Sequence, residues 1–182
     1  MRQFMHHARA IFFALALAPS ILQAAEPLGS DSQTGLLDGV VGSEPRALQL
    51  DPRATLEIVA RRMGVELDLQ IPAPAIRFES VTKLARFQDA AERQWGFRPE
   101  RFVNAFVGDT NEIYLIDDPT FYAAVKQPIE ESLAHELVHY VQARYGRANL
   151  YDWAEGEAVA IQKWFRAEYL DSHGGLLASA PD

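Results

Sequence analysis

The chain has 182 residues, no cysteine, and a formal net charge of −8 from 17 basic and 25 acidic side chains. The lack of cysteine excludes disulfides and a lipidated cysteine, so one ordinary hydrophobic core must hold the fold, and the length suits a single domain. The acidic balance argues against binding nucleic acid or anionic lipid through bulk electrostatics.

Arg2 and Arg9 flank a short basic region, residues 11–18 are apolar, and residues 19–25 run into small side chains. That apolar run is too short for a mature membrane helix and reads as a secretory signal peptide over residues 1–25, cut after Ala24 or Ala25; the alternative is a retained anchor. Removing the segment takes two basic residues and no acidic one, leaving 15 against 25 and a net charge of −10. The expectation is a periplasmic or secreted protein with no stable membrane span. Residues 26–46, rich in Gly, Ser, Asp and Pro, read as a flexible lead-in, with the domain over 47–175 and a tail at 176–182.

Asp51 and Pro52 supply a cap and a first-turn proline for a helix through Met63, with Leu56, Val59 and Ala60 inward and Gly64 as terminator. Residues 65–71 alternate as a half-exposed strand, which Pro72 and Pro74 break. Ser80 or Thr82 then caps a second helix whose stripe of Leu84, Phe87, Ala91 and Trp95 ends at Gly96. Residues 102–106 and 112–116 are β-favouring runs around Gly108-Asp109-Thr110-Asn111, a hairpin signature. The fold class expected is α+β, a small edge-strand sheet or hairpin packed with helices.

The segment richest in chemistry is His135-Glu136-Leu137-Val138-His139. Four residues along a helix is a rotation of about 40° and a rise of about 6 Å, so both imidazoles reach one cation from the same face. Neutral imidazole is a good Zn²⁺ ligand, and a hydrolytic site leaves one position open to water. Glu136 lies about 100° round the helix, placed to reach that water. Two surface histidines on an amphipathic helix are the competing reading. Pro128 in a first turn, Glu130 and Glu131 near the positive helix end, Leu133, Leu137, Val138 and Val141 as a buried face, and Gly146 at the stop all mark a genuine helix.

A third ligand must come from farther on. Trp153-Ala154-Glu155-Gly156-Glu157-Ala158 opens a segment with Ala158, Ile161, Trp164 and Phe165 at helical spacing, and Gly156 would permit close helix approach. Glu155 and Glu157 stand about 200° apart on a helix, so one faces a metal while the other points away. Spacing admits either, and Asp152 with Glu155 could instead form a capping box. For an oxyanion donor the candidates are Tyr145, Tyr151 and His173, each better read as structural or in the tail; Tyr140, Trp153 and Trp164 read as core or helix-packing residues.

His135-Glu136-Leu137-Val138-His139 together with Glu155-Gly156-Glu157-Ala158 is similar to the His-Glu-x-x-His and Glu-Gly-x-Ala pairing of the aminopeptidase-like gluzincins, zinc metallopeptidases with a downstream glutamate ligand. Asn104-Ala105-Phe106 followed by Glu112-Ile113-Tyr114 resembles the edge strand and hairpin of thermolysin-like members. The resemblance covers residues 102–167. It implies a zincin-like domain with Zn²⁺ on His135, His139 and Glu155, Glu136 as general base, and Asn104 and Ala105 contacting peptide substrate along an edge strand. The ligand spacing is shorter than in the large families, the Asn-Glu-x-x-Ser-Asp form is missing, and Val159 and Ile161 stand where an aspartate four residues past either glutamate would support a ligand.

A zinc-dependent hydrolase of peptide bonds is therefore the function expected. The alternatives are an inactive zincin-fold binding or assembly module with structural zinc, and a metal-free helical interaction protein.

Overall fold

The computed structural model describes residues 47–146 and 151–172, the first three of the second stretch by backbone alone. The expected signal peptide, lead-in and tail, with His173, lie outside these residues. Among them the architecture is mixed α+β, five helices and one three-stranded sheet.

Helix α1, Pro52–Arg62, starts where its cap places it: the Asp51 carboxylate accepts the Ala54 N–H at 2.9 Å, and Pro52 needs no partner in the first turn. It stops at Gly64, whose φ of +66° turns the chain so that the Val65 N–H reaches the Ala60 carbonyl at 2.9 Å. Leu56, Val59 and Ala60 are buried as their spacing requires.

The expected strand at 65–71 does not form. Val65, Leu67 and Ile71 pack partly against the core, but Leu69 is exposed, the stretch has no strand beside it, and at Asp68 it folds into a turn whose carboxylate accepts the Gln70 N–H at 2.8 Å. The strand lies after the prolines instead. Strand β1, Ala75–Phe78, runs parallel to β3, Glu112–Leu115, and β3 pairs antiparallel with β2, Ala105–Val107, giving the order β1-β3-β2. The hairpin joining β2 and β3 turns at Gly108 to Asn111 as expected, with Asn111 at φ +53°.

Helix α2, Leu84–Trp95, ends at Gly96 in the left-handed region, but neither Ser80 nor Thr82 caps it. Lys83 occupies the cap position without a side-chain bond. Ser80 belongs to a preceding 3₁₀ turn, Glu79–Val81, and gives its N–H and hydroxyl to buried Asp117. A short helix that the hydrophobic pattern does not announce, α3 Pro119–Val125, is capped by Asp118, which accepts the Thr120 N–H at 2.8 Å.

Helix α4, Ile129–Arg144, is the centre of the domain. It packs against α1, α5 and both hairpin strands, and is buried on nearly every side rather than along one stripe: Glu130, Glu131, Ser132, Glu136 and Gln142 are buried with Leu133, Leu137, Val138 and Val141. Helix α5, Tyr151–Phe165, runs back along it through Ala158, Ile161 and Phe165 and continues as a π-helical turn, Arg166–Leu170. A second small core of Phe87, Ala91, Phe102, Ala105 and Tyr114 joins α2 to the sheet.

Glu112 on the central strand is buried and receives Arg77 at 2.8 Å, Arg86 at 2.6 Å and the Tyr114 hydroxyl at 2.7 Å. Burial alone would push its carboxyl up; the Tyr114 hydroxyl and the two guanidiniums outweigh that and hold it at about 2 against an ordinary 4.5. With the folded value depressed, the stability Glu112 contributes is complete above pH 4.5 and lost as pH falls toward 2. Urea unfolding should therefore show wild type and Glu112→Gln converging on acidification, by roughly 3 kcal/mol between pH 7 and pH 2. A stability gap that stays constant with pH would remove Glu112 as the acid-sensitive strut of the sheet.

Candidate metal centre

His135 and His139 sit one turn apart on α4, and their Nε2 atoms point at the same spot, 3.1 Å from one another. Glu155, in the first turns of α5, straddles them: Oε1 lies 3.3 Å from His135 Nε2 and Oε2 lies 3.3 Å from His139 Nε2. The three residues offer ligand atoms all within 4.8 Å of one another and are partly exposed. Two ligands held at 2.0–2.1 Å on a tetrahedral ion stand about 3.3 Å apart, which is close to the spacing of the two Nε2 atoms and of each Nε2 from its nearer carboxylate oxygen, reached through a different oxygen of Glu155 in each case. The donor chemistry fits zinc: two imidazoles and a carboxylate, as in hydrolytic centres that keep a position for water.

Each ring is held from behind. His135 Nδ1 lies 2.8 Å from Gln162 Oε1, and His139 Nδ1 lies 3.0 Å from Gln142 Oε1. An amide oxygen only accepts, so each Nδ1 carries a proton and each Nε2 is the ring nitrogen turned to the centre. Burial pulls His135 toward its neutral form, but the Glu155 carboxylate bonded to its ring, the charges of Glu136 and Glu155, and the Gln162 bond prevail and push it up from 6.5 to about 9. The same ring contacts hold the Glu155 carboxyl far below its usual range.

Glu157 does not point away as helical geometry alone implies; its Oε2 accepts from Gln142 Nε2 at 3.1 Å, beside the centre. Gly156 does not mediate the close approach expected of it: a side chain there would meet open space, and the contact between α4 and α5 falls on fully buried Ala158. The Asp152 and Tyr151 side chains lie outside the described residues, so the capping box and one oxyanion candidate go with them. Tyr145 is tied elsewhere, its hydroxyl accepting the Asp68 N–H at 3.2 Å. Tyr140 is buried and donates to the Pro72 carbonyl at 3.0 Å, and Trp164 packs on Tyr169 under the Arg62 guanidinium.

Glu136 is buried, and its Oε2 accepts the Phe106 N–H of strand β2 at 2.8 Å. The helix that carries the histidines is thus bonded directly to the outer edge of the sheet. Asn104, two residues earlier, is half-buried; it accepts the Ile116 N–H at 2.8 Å and donates to the Tyr122 hydroxyl at 3.3 Å. Ala105 turns into the second core. Ala105 opens the strand that reaches Glu136 and Asn104 immediately precedes it, both with side chains committed to the fold.

Gln142 and Gln162 are the residues sequence reasoning missed. Their signal is register: Glu131, His135, His139 and Gln142 step by 4, 4 and 3 along α4, and Glu155 and Gln162 stand two turns apart on α5, which places all six on facing sides once the helices are antiparallel.

Comparison with protein-family models, curated proteins and solved structures finds no significant match for this chain.

Replacing His135 or His139 by alanine should abolish most zinc retention, measured as metal per protein after loading and desalting, since two remaining protein ligands make an incomplete site. Glu155→Ala should weaken zinc binding far more than Glu157→Ala; the opposite ranking would move the ligand role to Glu157.

Proposed function

We propose that this chain is a zinc-dependent hydrolase of peptide bonds, a small zincin-like domain of gluzincin type. The observation that carries the reading is the convergence of His135 Nε2, His139 Nε2 and the Glu155 carboxylate at 3.1 and 3.3 Å, with a buried carboxylate, Glu136, on the same helix. His135, His139 and Glu155 would hold the ion. Zinc bound there supplies Lewis acidity, acidifying water and polarising a scissile carbonyl.

The remaining chemistry belongs to the chain. Glu136 is fixed through one oxygen by the Phe106 N–H, which orients the carboxylate and leaves its other oxygen to take a proton from the attacking water and return it to the departing amine. Because the same bond ties the base to β2, substrate lying along the outer side of this strand, beside Asn104 and Ala105, would approach the base in a defined register. The acidic composition fits a protein or peptide partner and not nucleic acid. A signal-like N-terminus supports action in the periplasm or outside the cell, and no helix among the described residues is long and apolar enough to cross a membrane.

One observation favours a second reading, an inactive binding or assembly module with structural zinc. Glu136 is itself a strut between α4 and β2, a role that needs no turnover. Glu136→Gln separates the two, because the amide oxygen still accepts from Phe106 while the proton acceptor is gone. For a hydrolase, the zinc-loaded variant should keep its thermal unfolding and metal content and lose at least 100-fold in cleavage of a broad peptide library. Equal cleavage by wild type and variant would exclude Glu136 as base; no cleavage by wild type would favour the binding module.

A further inference from the structure

The two glutamines behind the histidines are themselves anchored, and in a consistent direction. Gln162 Nε2 donates to Glu131 Oε1 at 3.0 Å, and the other Glu131 oxygen receives Arg166 Nη1 at 3.3 Å. Glu131 is buried, the third residue of α4, one turn before His135. On the other ring, Gln142 Nε2 donates to the Ala154 carbonyl at 2.8 Å and to Glu157 Oε2 at 3.1 Å. An amide has one accepting and one donating end, and its orientation follows whichever neighbour has only one role. A carbonyl only accepts, and a carboxylate with a guanidinium on its far oxygen does the same. Neither glutamine can flip without setting oxygen against oxygen.

The geometry points to a pair of polarity relays, Glu131–Gln162–His135 and Ala154/Glu157–Gln142–His139, that fix both imidazoles as Nδ1–H tautomers and so aim both Nε2 lone pairs at one metal ion. The relays rest on the metal-centre reading for their purpose but not for their direction, which the acceptor ends impose. Gln142, Gln162 and Glu131 are positioning residues: none offers an atom to the ion. The arrangement also explains the amide in place of the usual carboxylate behind a histidine ligand. A carboxylate at position 162 would face Glu131 at hydrogen-bond distance with no proton between them, whereas an amide joins an acceptor to a donor on both sides. Because one glutamine comes from each helix, the relays also bridge α4 and α5, so the ligand atoms converge before any ion arrives.

Zinc affinity of the full chain, measured by competition with a chromophoric chelator, tests this alongside proton and nitrogen NMR of the histidine rings. Gln162→Leu and Gln142→Leu, of similar volume, should each bind zinc about 10- to 100-fold more weakly than wild type. The swapped pair Gln162→Glu with Glu131→Gln restores an acceptor to the His135 ring and a donor behind it, and should recover most of that loss. Leucine variants that bind zinc as wild type does, or a swapped pair no better than Gln162→Leu, would overturn the relays in favour of simple packing. Should the leucine variants fail to fold, the wild-type rings decide, recorded above about pH 10 so that His135 has lost its second proton: protonated Nδ1 on both supports the relays, and an unprotonated Nδ1 on either refutes them. Wild-type protein that binds no zinc while showing both Nδ1–H protons would sink the metal-centre reading and leave the relays standing.

Discussion

A helix buried on nearly every side that carries Glu130, Glu131, Glu136 and Gln142 places a demand on everything around it, because each polar group taken from water must meet a partner or cost about 1–3 kcal/mol, more when charged. Helix α4 meets that demand from three directions. Glu130 takes the Gln49 N–H ahead of α1, Glu136 takes the Phe106 N–H of the sheet, and Glu131 and Gln142 bond across to α5. No buried side-chain nitrogen or oxygen among the described residues lacks a partner. The position of α5 is consequently set by complementarity along a polar seam as much as by the apolar contacts of Ala158, Ile161 and Phe165.

That seam accounts for how a few residues of a small domain form a centre with defined geometry. An imidazole left to itself rotates and exchanges tautomers, and a carboxylate on a long side chain near a helix start has several rotamers. Here His135, His139 and Glu155 restrain one another at the front while the glutamines restrain the rings behind. The raised His135 and lowered Glu155 values express the same fact, that the pocket is organised around charge neutralisation, which a proton supplies when no cation is bound.

Much of this was legible in the residue order where the signal is local. Asp51-Pro52 and Gly64 bracket α1 because a cap, a first-turn proline and a left-handed glycine each act within a few residues, and Gly108 to Asn111 marks its hairpin for the same reason. His135 and His139 follow directly from helical periodicity. What was not legible depends on partners distant in sequence. Ala75–Phe78 is a strand only because β3 lies beside it, whereas the cleaner alternation at 65–71 finds no neighbour. Ser80 does not cap α2 because Asp117, buried across the fold, accepts its N–H and hydroxyl. Helix α3 did carry a local signal, Asp118-Pro119, the same pair that opens α1, but seven residues offer too little periodicity beside it. Glu157 shows the limit of helical-wheel reasoning: an angle from Glu155 does not forbid a long side chain from reaching the same neighbour.

Stability alone does not call for this arrangement. A two-helix contact of the size of α4 and α5 packs well with hydrocarbon, and exchanging buried charged networks for apolar residues of similar volume is often neutral or stabilising. The seam instead concentrates polar groups where each must be satisfied and where failure of one exposes the next, a high-stakes construction that favours a single geometry. Its anchors, Glu131 with Arg166 at one end and Ala154 and Glu157 at the other, all lie outside the three candidate ligands, while the three ligands turn their remaining lone pairs toward a common, partly exposed point. Here those groups converge on one another, and that convergence, more than the pentapeptide itself, is the physical ground on which the metal-centre proposal rests.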